Sequence, residues 1–180
     1  MNSSGSASSN DPLADWELEI QKYLEFLIES DKEDDLIAVL RAHLYIEIEI
    51  FNLLVASNPK ASLKQRDGFD AKLKKIEKAR LLDTGEIAAF REINRLRNRF
   101  AHLPIKHDVD KDDLATLQGA LPPKFTKAVA KYPAKNIYHE HGLETPSGQV
   151  RVILMVVFNW LCSRAAHERD VTRAMLKPRK

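Results

Sequence analysis

An all-α fold, a compact bundle of about five to seven helices built round one long central helix, follows from three features of the 180-residue sequence. Glycine is scarce, at six residues. Apolar side chains recur at helical spacing between short polar turns, and no stretch reads as a series of hairpins. A mass of 20.5 kDa suits a single domain, expected over residues 11–176. With 44% apolar and 30% charged residues, collagen-like and wholly disordered classes are excluded.

Residues 1–10 are nearly all Ser, Gly, Asn and Ala and read as a disordered tail. A first helix is expected over 12–29, with Pro12 in its first turn and Leu18, Tyr23, Phe26 and Leu27 as its apolar stripe. Ser30 and Glu33 form a capping-box pattern that opens a second helix of about 26 residues through Ala56, with Asp34 and Asp35 near its positive end. The alternation in residues 45–51 also fits a strand, but a run of that length without Gly or Pro favours a helix. One stripe of it carries Ile37, Leu44, Ile48 and Phe51 with Arg41 among them, while Leu36, Leu40 and Leu54 flank Glu47. Such a helix is apolar over much of its circumference and is expected to be the central one. Arg41 and Glu47 are then either members of a structural ion pair or parts of a site.

A third helix, over 69–82, is expected to expose Lys72, Lys74, Lys75 and Lys78. Asp83 and Glu86 bracket Thr84-Gly85 as the next start, and Ile93, Leu96 and Phe100 mark that helix's buried stripe. It should stop near His102, since Pro104 disfavours helical backbone at Leu103. Short helices over 112–120 and 124–131 follow. Thr145-Pro146 opens the last, over 147–176, and residues 177–180 form a basic tail. The longest uninterrupted apolar run is residues 152–158, short of the roughly 20 residues that cross a bilayer, so no membrane span is expected. One cysteine, Cys162, and no apolar secretory core at the N-terminus point to a reducing cytoplasm.

Charge is uneven. Residues 11–50 hold 3 basic and 12 acidic side chains, residues 51–110 hold 13 and 8, and residues 111–180 hold 12 and 6. A mildly basic surface suited to phosphate is one reading, solvated helix faces the other. There is no glycine-rich phosphate loop, nucleophile elbow or His-Glu-x-x-His pair, which disfavours those enzyme classes.

The segment with chemical potential is Arg97-Asn98-Arg99-Phe100-Ala101-His102, with Arg91 and Arg95 just upstream. Histidine exchanges protons near neutral pH, arginine presents a permanent charge in a fork that matches phosphate, and asparagine can fix a hydroxyl or an imidazole. Those are the parts of metal-free RNA cleavage, with His102 moving a proton and Arg97 stabilising a phosphorane. On an ideal helix Asn98 and His102 share a face, whereas Arg97 and His102 project about 140° apart and converge only if the helix ends between them. The competing structural reading pairs Arg97 with a carboxylate such as Glu47 and leaves His102 and Asn98 to cap the helix.

Arg97-Asn98-x-x-Ala101-His102 resembles the Arg-Asn-x-x-x-His signature of the HEPN superfamily, and the arrangement of helices from Leu36 to His102 agrees with it. The resemblance implies a metal-independent endoribonuclease without a cofactor, often the toxin of a toxin-antitoxin or phage-defence system, that dimerises with its two motifs facing one cleft. Arg97, Asn98 and His102 are then the catalytic residues, RNA the substrate and an antitoxin protein a partner. Arg95 and Arg99 are expected to contact nucleic acid. A branch similar to the mannitol-operon repressor family implies instead a non-catalytic dimeric regulator or nucleotide- or nucleic-acid-binding module.

Weaker signals lie in Lys131-Tyr132-Pro133-Ala134-Lys135 with Tyr138, His139 and His141, which mixes basic and aromatic groups but also reads as an ordinary loop. His139, His141 and His107 lack the spacing of a metal site, and none is expected. Trp16, Trp160 and Cys162 read as packing residues.

Overall fold

The computed structural model describes residues 34–59, 66–102, 108–131 and 144–176. The first expected helix, Ser30, Pro104, His107 and the stretch from Tyr132 to His141 lie outside them. The described residues form six helices and no strand: α1 (Asp35–Ser57), α2 (Phe69–Ala79), α3 (Thr84–His102), α4 (Lys111–Ala120), α5 (Pro123–Lys131) and α6 (Pro146–Leu176).

Local chemistry explains the ends. Asp34 caps α1, its carboxylate accepting the Ile37 N–H at 2.9 Å. α2 stops at Ala79, short of the expected Leu82, because Arg80 takes a left-handed conformation, φ 55°, and the Leu81 N–H turns back to the Ile76 carbonyl. The box expected at the start of α3 is present: Glu86 N–H donates to Asp83 and Asp83 N–H to Glu86, at 2.8 and 2.6 Å. Asp110 and Asp113 repeat the device on α4.

α1, expected to be central, shares the centre of the bundle with α6: α1 packs on α2, α3 and α6, and α6 on α1, α4 and α5. Residues 150–158 of α6 are all buried, and α1 packs along it more extensively than any other pair of helices pack. By length and composition α6 is also apolar enough to cross a membrane, but 61% of its most apolar window is buried inside the fold, as in a core helix. The two helices run parallel. Asp35 at the start of α1 binds Arg151 Nη2 at 2.8 Å, and Val55 and Ala56 at its end share a cleft with Arg169 and Arg173. Asp35 also accepts the Val109 N–H at 2.7 Å and the Ser147 hydroxyl, so one buried carboxylate ties together the starts of α1 and α6 and the approach to α4.

The face that α1 turns to the core carries Ala38, Val39, Ala42, Ile46, Ile50 and Leu53. The stripe picked out from the sequence faces outward: Ile37, Leu44 and Ile48 are exposed, as are Tyr45 and Val55. α2 lies beside α1 in the same direction and α3 returns antiparallel, as the pairings of Phe69 with His43, Lys72 with Glu47 and Arg91 with Glu77 require.

Candidate functional site

α3 is the platform. Ile93, Leu96 and Phe100 bury its inner stripe, as the periodicity predicts. Its polar stripe runs Asn94, Asn98, His102 in steps of four, with Arg97 alongside.

Three of the four arginines on α3 are ion-paired. Arg91 meets Glu77 at 2.9 Å, Arg95 meets Glu92 at 3.2 Å, and Arg99 meets the fully buried Asp113 of α4 at 2.6 Å. Arg97 differs. Its guanidinium donates to Asn98 Oδ1 at 3.0 Å, and among the described residues it has no carboxylate partner. Glu47, the partner offered by the structural reading, is taken by Lys72 at 2.7 Å. Lys72 therefore points inward, 4% exposed, and not outward with Lys74 and Lys78 as its place in the helix suggested. Lys75 is held by Asp67.

α3 runs through His102, after which residues 103–107 lie outside the described ones. It does not end between Arg97 and His102, so within one chain those side chains keep their separation of about 140° around the axis. Arg97 and Asn98 are brought together, and His102 is exposed at the helix's last residue. Arg95 is also exposed, whereas Arg99 is engaged in holding α4 to α3.

The structure adds a group that spacing did not reveal. His43 of α1 is buried beneath α3, its Nε2 donating to Asn94 Oδ1 at 3.0 Å, and Asn94 Nδ2 in turn donates to Asp70 Oδ1 at 3.2 Å. Its ring packs on Phe69 with centroids 4.5 Å apart. Burial pushes the imidazole pKa down. The hydrogen bond to Asn94 and the charges of Glu47 and Asp70 oppose that shift, while the positive charge of Arg97 adds to it. A neutral imidazole thus underlies Arg97, and its Nδ1 has no hydrogen-bond partner among the described residues. A lone histidine among apolar residues carries no spacing signal, because its partners come from two other helices.

Among the described residues no group of three His, Cys, Asp or Glu side chains is placed to hold a metal ion. A cleft of about 230 Å³ opens between the ends of α1 and α6, lined by Asn52, Val55, Arg169 and Arg173 and by none of the motif residues. Compared with family models, curated proteins and solved structures, the chain matches none of them.

Proposed function

We infer that the chain is a HEPN-like, metal-independent endoribonuclease working as a homodimer in the cytoplasm, as the toxin of a toxin-antitoxin or defence pair. One observation carries the reading: among the arginines of α3, Arg97 alone has no carboxylate partner among the described residues, so its fork is open to a phosphate. The ribose 2′-hydroxyl attacks the adjacent phosphorus, the bond to the 5′-oxygen breaks, and a 2′,3′-cyclic phosphate and a 5′-hydroxyl result. His102 moves the proton, Arg97 neutralises the charge gathering on the phosphoryl oxygens, and Asn98 fixes the guanidinium. His43, kept neutral below, adds no rival positive charge. Arg95, exposed but paired with Glu92, would exchange that carboxylate for the RNA backbone.

The test is incubation of purified protein with mixed RNA in chelator, comparing the parent chain with Arg97→Ala and His102→Ala. Cleavage that both substitutions abolish supports the reading, and equal absence of cleavage in all three refutes it. A second reading, a non-catalytic dimeric regulator that binds nucleic acid or nucleotide, is favoured by the continuity of α3 through His102, which keeps the imidazole away from Arg97 within one chain. RNA binding that weakens in Arg97→Ala, without cleavage by any of the three proteins, is the outcome that selects it.

A further inference from the structure

The outer face of α1 is apolar. Ile37, Leu44, Ile48 and Val55 are 42, 55, 47 and 39% exposed, on the side of the helix opposite its core residues Ile46, Ile50 and Leu53. A helix packed on a core by one face ordinarily turns polar residues to water on the other. With Arg41 and Phe51, both half-buried, these residues fall at 37, 41, 44, 48, 51 and 55, alternating steps of four and three. That is the spacing of a two-helix seam, and it runs for about 27 Å.

We propose that this stripe is the interface with a second copy of the chain, the two α1 helices crossing antiparallel about a twofold axis level with residue 46. The stripe is its own complement. Reversed about that level, Ile37 meets the second copy's Val55, Leu44 meets its Ile48, and Arg41 meets its Phe51. Each layer joins the two kinds of seam position, as antiparallel packing requires, and a single self-complementary patch is what a twofold interface needs. Arg41 over a phenyl ring forms the one polar layer, which fixes register. Glu47 falls near its symmetry mate, but Lys72 already neutralises it. The rival occupant is the segment 11–29 of the same chain. It brings six acidic residues and one basic residue, net −5, against a helix that itself holds three acidic and one basic, net −2, whereas a second α1 brings only −2. The twofold also leaves the flanks carrying His43 and Glu47 on one side of the pair, so both copies of α3 border the same side. The pairing is argued from the stripe alone and stands whether or not Arg97 serves RNA cleavage.

Sedimentation of the full chain over about a hundredfold range of concentration should show a monomer–dimer equilibrium. Leu44→Glu with Ile48→Glu should abolish the dimer while leaving the unfolding temperature of the monomer in place, since both residues are exposed. The register is read by thiol cross-linking. Leu44→Cys with Ile48→Cys should give a covalent dimer, whereas Ile37→Cys alone, about 27 Å along the seam from its own symmetry mate, should not link through a shorter reagent. The unsubstituted chain, whose Cys162 is buried, is the control. A chain that is monomeric throughout, a dimer that survives both glutamates, or a thiol at 44 that links to one placed at Ile20 of its own chain would each overturn the proposal.

Discussion

Arg97 and Arg99 lie two residues apart on one helix, yet replacing each by alanine should damage different properties. Arg97 is half-exposed and donates one hydrogen bond, to Asn98. Losing that bond costs about 1 kcal/mol of stability or less. If Arg97 stabilises the phosphorane, the same substitution slows RNA cleavage a hundredfold or more, about 2.7 kcal/mol of barrier. Arg99 is the converse. Its removal strands the carboxylate of Asp113, which is wholly buried between α3 and α4. Breaking a buried pair costs about 3–5 kcal/mol. Since Arg99 is itself one-third exposed and Asp113 keeps its capping contact with Asp110, about 2 kcal/mol is the figure to expect here. Urea unfolding measures the first quantity and a fluorogenic RNA in chelator the second, both at matched protein concentration. A destabilisation by Arg97→Ala equal to that by Arg99→Ala would show that Arg97 is a structural cation, and unchanged cleavage in Arg97→Ala would remove it from the chemistry.

Three further outcomes follow from the buried polar groups. His43 titrates below its ordinary value in the folded chain, so the unfolded chain binds more protons as pH falls below about 6.5. Stability should therefore fall with pH through that window, by up to about 1.4 kcal/mol per pH unit, in urea titrations of the parent chain, and His43→Leu should lose this dependence. Asp35→Ala removes the carboxylate that the Arg151 guanidinium, 3% exposed, meets at 2.8 Å and should cost about 3 kcal/mol in unfolding free energy, while adding Arg151→Met should recover part of the loss. Glu47→Gln should destabilise through Lys72 by roughly 2–3 kcal/mol, and in a double-mutant cycle Lys72→Met should relieve most of it.

Helix boundaries were legible wherever one residue type forces the backbone or satisfies an end. Asp83 with Glu86 and Pro146 act within a few residues of the chain, and the helices begin where those residues lie. The end of α2 was not legible, because nothing in an arginine announces that Arg80 will take a left-handed conformation, which Gly or Asn ordinarily supplies. The site divides in the same way. The Arg97-Asn98 contact is local and followed from adjacency. The partners of Lys72, Arg99 and His43 lie on other helices, 14 or more residues away in sequence, and spacing along one helix carries no information about them.

The inward face of α1 has a physical cause of its own. α1 and α6 are both apolar over much of their surface, so periodicity alone could not say that they share the centre, nor which face of α1 turns inward. Bulk favours the stripe of Ile37, Leu44, Ile48 and Phe51. Close approach favours the other face, where Ala38 and Ala42 leave room for α6 to come near while Ile46, Ile50 and Leu53 fill the space between. A scale that ranks stripes by hydrophobicity penalises those alanines, although small residues are what let two long helices lie side by side. The bulky stripe left outside then weighs against its own exposure. Each of its large side chains forgoes on the order of 1 kcal/mol of burial while it faces water, and a second identical stripe is a surface shaped to receive it.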